Sequence, residues 1–289
     1  MRILVAGANG MLGRDVCQAA RRAGHEALPH DLPELDIVDG EAVRELLRRE
    51  APRAIVNCAA WTDVDGAESH VQEAYAANAA GAGNLARGAA ELEMALVHVS
   101  TDYVFDGQPP RDATGAERAY LERDPTGPRS VYGASKLAGE LEVLAASARH
   151  TVARTAWLFG VGGKNFVDTM LALAGERPEV SVVDDQIGCP TWTGHLAPAL
   201  VGLLERSVSG LAHLAGAGRV SWHGFAREIF HQAESPCRAR AVSSAEFPRP
   251  APRPGWSALE SERQDVIPLP PWQDGLAAYL AARDGMIRP

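Results

Sequence analysis

The first dozen residues constrain the fold of this 289-residue chain more than any other stretch. Ile3-Leu4-Val5-Ala6 is apolar without alternation, and Gly7-Ala8-Asn9-Gly10-Met11-Leu12-Gly13 follows at once. A short unbroken apolar run ending at glycine reads as a strand buried on both faces, which belongs to a parallel sheet sandwiched between helices. Glycines three apart then supply a tight turn, a close backbone approach to a pyrophosphate and a close helix-on-strand contact, with the helix N-terminus facing the phosphates. Gly7, Gly10 and Gly13, with Asn9, Met11 and Leu12 between them, are therefore candidates for holding a dinucleotide.

The same rhythm continues down the chain. Strands are predicted at Glu26–Leu28, Ala54–Asn57, Leu96–Ser100 and Thr151–Thr155, alternating with helices at Asp15–Ala23, Glu41–Glu50, Val71–Leu92 and Val131–Ala146. Strands spaced by helices of this length imply βαβ units. The expected class is α/β: a doubly wound parallel Rossmann-type sheet over residues 1–160, joined again by 193–214. Residues 161–192 and 215–289 are expected to form a smaller C-terminal substrate-binding lobe. Helices are predicted there at Asn165–Ala174, Thr193–Glu205 and Trp272–Arg283, and strands at Val180–Val183 and Leu211–Leu214, the Pro- and Arg-rich tail from Ser235 carrying only the last helix.

Composition excludes several classes. A net charge of -9 without a long basic run argues against nucleic-acid or anionic-membrane partners. No apolar stretch is long enough to span a bilayer, and the N-terminal apolar run ends at Gly7, too early for a secretory signal. Cys17, Cys58, Cys189 and Cys237 are scattered, without zinc or disulfide spacing. A cytoplasmic protein with reduced thiols and no bound metal is expected.

Chemistry is concentrated in two segments. Ser100-Thr101-Asp102-Tyr103 closes a predicted strand, and Tyr132 and Lys136 stand one turn apart at the start of the following predicted helix. YxxxK alone is common on amphipathic helices; its order after a dinucleotide turn and a hydroxyl-bearing strand end brings all three to the carboxyl edge of one sheet. Reduction of a carbonyl by a nicotinamide needs a proton donor. A phenol with an ordinary pKa near 10 is a weak one, and a neighbouring ammonium is expected to lower it. Thr101, Tyr132 and Lys136 are the catalytic candidates, with Thr101 orienting the carbonyl oxygen. Asp31, ending the second strand, stands where an acidic residue takes an adenosine ribose hydroxyl and repels a 2′-phosphate, so NADH is expected to be usable beside NADPH.

Longer matches narrow the family. Val99 to Gly107, Val131 to Glu140, Arg154 to Trp157, Asp185 to Thr191 and Ala59 to Glu68 closely resemble the dTDP-4-dehydrorhamnose reductases, which are extended short-chain dehydrogenase/reductases. The resemblance runs from residue 1 to about 230. It implies NADPH- or NADH-dependent reduction of the 4-keto group of a dTDP-6-deoxyhexulose, dTDP-4-dehydro-6-deoxy-L-mannose, with a monomer or homodimer as the working form. It further implies that Asp36, Ile37, Ala59 and Ala60 contact the cofactor. Thr62, Val64, Asp102, Tyr103 and Trp157 would line the sugar site, Trp157 by a flat apolar face, while Asn165 and the Gln186–Thr191 loop would reach the nucleotide. Asp15 resembles one ligand of a metal site found in some members, but Gly194-His195 stand where a second acidic ligand belongs. Two alternatives remain open: a reductase making a different deoxysugar of the dihydrostreptose or antibiotic type, and a non-catalytic regulatory subunit resembling that of methionine adenosyltransferase, which need not keep Thr101, Tyr132 and Lys136.

Overall fold

The computed structural model describes residues 1–287, of which 284–287 are described by their backbone alone. Six strands form one parallel sheet: β1 (Arg2–Ala6), β2 (Glu26–His30), β3 (Ala54–Asn57), β4 (Ala95–Thr101), β5 (Thr151–Thr155) and β6 (Gly210–His213). Their spatial order is β6-β5-β4-β3-β1-β2, every neighbouring pair parallel. The chain leaves β1 to one side for β2 and returns on the other for β3. That reversal opens a crevice at the carboxyl ends of β1 and β3, the place where open α/β sheets bind ligands.

Both faces of β1 are buried, as its lack of alternation requires. Ile3 and Val5 pack with Leu12 and Val16 and with Leu196 and Leu200 of the helix Thr193–Glu205. Leu4 and Ala6 face the opposite way, against Val43 and Leu47 of the helix Gly40–Glu50 and Leu85 of the helix Ala82–Glu91. Val266 and Leu269, from the Pro-rich tail, join the first of these cores.

A separate hydrophobic core gathers Phe159, Val167, Met170, Val180, Val182, Phe225, Ile229, Trp272 and Tyr279. Two of its elements lie outside the sequence-based expectation. The helix Trp222–Gln232 opens with Ser221, whose hydroxyl accepts from the Gly224 amide at 3.0 Å, and buries Phe225, Ala226, Ile229 and Phe230. Those four have helical spacing, but the aromatic and glycine content of the first turn masks it. The strand Arg238–Val242 pairs in parallel with Glu179–Val183. Its alternating arginines read as a loop, yet Arg240 donates to Ser181 and flanks Glu179 across the pair.

A further departure concerns the predicted continuous helix Val71–Leu92. Its middle, Ala76–Gly81, is a π-helical turn between Val71–Tyr75 and Ala82–Glu91. Asn78 in that turn accepts from the Trp61 amide at 2.8 Å and donates to the Trp61 carbonyl and the Ser135 hydroxyl. The extra residue of a π-turn alters which way its side chains face around the axis, and here it goes with the seating of Asn78 between Trp61 and Ser135.

The glycine turn is fixed sterically. Gly7 has a φ of +74°, and a Cβ there would stand 2.6 Å from the Ala59 nitrogen. A Cβ on Gly13 would stand 2.1 Å from the Gly7 carbonyl oxygen. Gly7→Ala therefore combines left-handed backbone strain of about 1–2 kcal/mol with displacement of the β3 exit segment. We expect a lower urea midpoint at an unchanged m-value, equivalent to a loss of about 2–4 kcal/mol; an unchanged midpoint contradicts the close packing of the two turns.

Candidate active site

At the carboxyl edge of the sheet lies a cleft of about 590 Å³. Gly7, Gly10, Met11, Leu12 and Gly13 of the glycine turn line it together with Thr101, Tyr132 and Lys136 and with Ala60, Thr62, Val64, Asp102, Tyr103 and Trp157. Cys58, read from the sequence as a small buried thiol, lines it too, as do Lys164 and Trp222, which sequence reasoning did not single out.

Local chemistry positions each group. The helix Met11–Arg22 begins at Gly10 with no side-chain cap and no acidic residue in its first turn. Its free amides and positive end are left for an anionic ligand, which is the environment a diphosphate requires. Asp31 accepts from the Asn9 amide at 2.7 Å and the Leu32 amide at 2.8 Å, tying the end of β2 to the same turn.

The helix Val131–Ala146 starts under tight control. Ser130 caps it by accepting from the Gly133 amide at 3.1 Å, and Glu68 accepts from the Val131 amide at 2.9 Å. Tyr132 and Lys136 thus come from a fixed first turn. The buried stripe of this helix includes Ser135, Lys136 and Glu140 as well as Gly139 and Val143. Glu140 receives two bonds from Arg154 on β5, Nε to Oε1 at 2.9 Å and Nη2 to Oε2 at 2.6 Å, and a third from the Ser100 hydroxyl on β4 at 2.6 Å. The Arg154 guanidinium also lies over Phe105, 4.9 Å from the ring centre.

Thr101 donates to Asp102 Oδ1 at 2.9 Å and accepts from the Tyr103 amide. Burial pushes the neighbouring Tyr132 phenol up to about 12, outweighing the opposing influence of the Thr101 hydroxyl. The expected lowering by Lys136 is not what the structure displays. Lys136 is itself pulled down to about 8 by burial, Glu140 and Cys58 opposing the shift, and its Nζ bonds the Val99 carbonyl at 2.7 Å and stands 3.3 Å from His98 Nε2. Tyr103 meets Tyr132 edge-on at 5.5 Å.

Several expected contacts are placed elsewhere. The Asn165 side chain caps the helix Phe166–Glu176, accepting from the Asp168 amide at 3.0 Å while its Nδ2 donates to Gly160, Gly163, Asp168 and Tyr279; it does not line the cleft. Asp36 is exposed and accepts from the Val38 amide, and Ile37 is buried in the core. Ala59 and the Gln186–Thr191 segment also lie outside the lining, Ile187 and Gly188 pairing instead with Val220 and Ser221. Trp157 does reach the cleft, in a left-handed conformation with φ of +48°. Its flat face is not free: the Trp222 ring stacks on it at 3.5 Å and 3°, and a Cβ on Gly188 would be 2.3 Å from the indole.

Cofactor turn, hydroxyl strand end and Tyr/Lys helix thus share one cleft, and likeness to known proteins is consistent across the whole length. The model of the RmlD substrate binding domain matches residues 1–284. The dTDP-4-dehydrorhamnose reductase of Mycobacterium tuberculosis is 46% identical over 288 residues, covering 97% of this chain and 93% of that protein. The chain belongs to the dTDP-4-dehydrorhamnose reductase family. Among solved reductases of this family, that of Clostridium acetobutylicum superposes with a TM-score of 0.92 at 37% identity, covering 98% of this chain and all of that one. The reductase of Bacillus anthracis, solved in complex with NADP, gives 0.92 at 36% identity, covering 97% and 99%. Among the described residues no helix is long and apolar enough to cross a membrane.

Asp102 supplies a pH test of this geometry. Its carboxyl is buried, one oxygen has no hydrogen-bond partner, and burial pushes it up to about 6. A carboxyl whose folded pKa is raised stabilises the fold below its unfolded pKa, and that contribution is lost as pH rises through the folded value. Wild-type stability is therefore expected to fall between about pH 4 and 6 relative to Asp102→Asn, by on the order of a few kcal/mol. Urea titrations of both proteins across that range check it; parallel pH curves would place Asp102 in contact with water.

Proposed function

We propose that this protein reduces the 4-keto group of dTDP-4-dehydro-6-deoxy-L-mannose to give dTDP-L-rhamnose, using NADPH or NADH. The observation that carries the reading is the meeting of Thr101, Tyr132 and Lys136 in one cleft with the uncapped helix beyond Gly10. Full-length membership of the reductase family supports the substrate.

The residues present suit a dinucleotide. The free amides at the start of the helix Met11–Arg22 would take the diphosphate, and the Asp31 carboxylate would face the adenosine ribose. When bound, the reduced nicotinamide supplies hydride to the carbonyl carbon. Tyr132 donates its proton to the developing alkoxide; burial keeps the phenol protonated but makes it a weak acid, so the transfer depends on stabilisation of the phenolate as it forms. Thr101 orients the carbonyl oxygen from the other side, and the Lys136 ammonium stabilises the resulting phenolate. Thr62, Val64, Asp102 and Tyr103 bound the sugar.

Incubation with the 4-keto nucleotide sugar and either reduced cofactor, followed by product identification, tests the assignment. Formation of dTDP-L-rhamnose is expected. Turnover of another 4-keto-6-deoxysugar alone redirects it, and binding without turnover refutes it. Tyr132→Phe is expected to lower kcat by about 10² to 10⁴ while leaving cofactor affinity nearly unchanged; near-wild-type kcat removes Tyr132 as donor. Asp31→Ala is expected to shift the kcat/KM ratio toward NADPH, because a carboxylate at that ribose repels a 2′-phosphate. An unchanged ratio assigns Asp31 to the turn alone.

A further inference from the structure

Beneath the Tyr132–Lys136 pair lies a chain of buried polar groups that the reaction as described does not use. Asn57 ends β3, His98 sits on β4, and Lys136 reaches down from the helix Val131–Ala146; they are 1%, 0% and 2% exposed. Asn57 Nδ2 stands 3.0 Å from His98 Nδ1, and His98 Nε2 stands 3.3 Å from Lys136 Nζ. The Asn57 amide is oriented from its far end, because its oxygen accepts from the Ala59 amide at 3.0 Å. Its nitrogen therefore faces His98, and an amide nitrogen only donates. His98 Nδ1 must then be an acceptor, so a neutral imidazole carries its proton on Nε2 and points it at Lys136.

We propose that His98, its tautomer set by Asn57, is a positioning residue that favours the amine form of Lys136 over the ammonium in the free enzyme. An amine at Lys136 satisfies every contact: its lone pair accepts from Nε2–H while its own N–H donates to the Val99 carbonyl. An ammonium would oppose one donor with another. Burial holds His98 neutral, well below its usual range, and the Lys136 charge adds to this only while Lys136 is an ammonium. Other charged and titratable groups facing Lys136 are Glu140, which is engaged by Arg154 and Ser100, and the Cys58 thiol, itself pushed up to about 12 by burial. Glu140 is a carboxylate acceptor already engaged, and the Cys58 thiol is at most a weak donor. The consequence for turnover rests on the reductase reading above: Lys136 must hold a proton to stabilise a phenolate, so Asn57 and His98 set the upper pH limit of activity. The protonation itself stands independently of that reading.

The sequence makes this directly measurable, because Lys136 and Lys164 are its only lysines. Protein labelled with ¹³Cε and ¹⁵Nζ lysine gives two side-chain signals, assigned by Lys164→Arg, and labelled histidine reports the His98 tautomer, assigned by its loss in His98→Gln. In the wild type we expect an Nε2–H tautomer and one lysine titrating near pH 8, well below the other. Asn57→Asp keeps an acceptor for the Ala59 amide but offers an oxygen to His98 Nδ1. It should convert His98 to the Nδ1–H form and return Lys136 to the ordinary range near about 10. In His98→Gln the amide can accept from Asn57 and donate to Lys136, so Lys136 should stay low. A residue with only a packing role predicts no such opposition between the two variants. In kinetics, the alkaline limb of kcat/KM should move up in Asn57→Asp and stay in place in His98→Gln. An Nδ1–H tautomer in the wild type overturns the proposal, as does co-titration of the two lysines or an unmoved Lys136 in folded Asn57→Asp. Absence of reductase activity with these titrations intact overturns only the functional reading.

Discussion

The cleft hangs on the buried bond between Glu140 and Arg154. Each side chain is almost wholly excluded from solvent, at 2% and 4% exposure. Such an isolated pair gains little over apolar packing, but losing one partner strands a charge and costs about 3–5 kcal/mol. Its value here is positional. Glu140 is one turn beyond Lys136, Arg154 is on β5, and Ser100, the third partner, directly precedes Thr101 on β4. One carboxylate thereby locks the helix that carries the phenol and the amine onto the strand that carries the hydroxyl. The Asn57–His98–Lys136 chain runs beside it and adds β3 to the same lattice.

This arrangement explains why a weakly amphipathic helix is so well placed. Its buried stripe is partly polar, so hydrophobic burial alone cannot set its rotation, and directed bonds do so instead. Unlike apolar contacts, these bonds tolerate little slippage, because a buried group that misses its partner keeps its full desolvation cost. The base of the cleft is consequently buried and polar, and small displacements of charge there are strongly felt.

The fold was largely legible because its signals are local. Ala54–Asn57, Val131–Ala146, Thr151–Thr155 and Thr193–Glu205 all match their predicted bounds, since each is an apolar run or stripe closed by a recognisable cap or turn. The π-turn at Ala76–Gly81 was not legible, because it answers to Trp61 and Ser135 on other elements. The strand Arg238–Val242 likewise takes its conformation from its partner. At the cleft, residues carried by motif position arrive together, whereas Asn165 illustrates the limit: its oxygen caps a helix and its nitrogen is taken up by internal partners. The role of His98 needed three dimensions, since nothing in its neighbours along the chain places Asn57 on one ring nitrogen and Lys136 on the other.

The π-turn also restricts how this chain can change length. A π-turn is an α-helix carrying one residue too many, so removing a single residue between Ala76 and Gly81 would restore regular geometry and improve the helix by its own measure. It would also rotate the preceding turns by about 100° about the axis, since 3.6 residues complete a turn. Asn78 would then leave Trp61 and Ser135, and the segment after β3 would separate from the helix bearing Tyr132. A change of length within Ala76–Gly81 is thus expected to cost more than one in a surface loop, because the irregular turn is the joint between two functional segments.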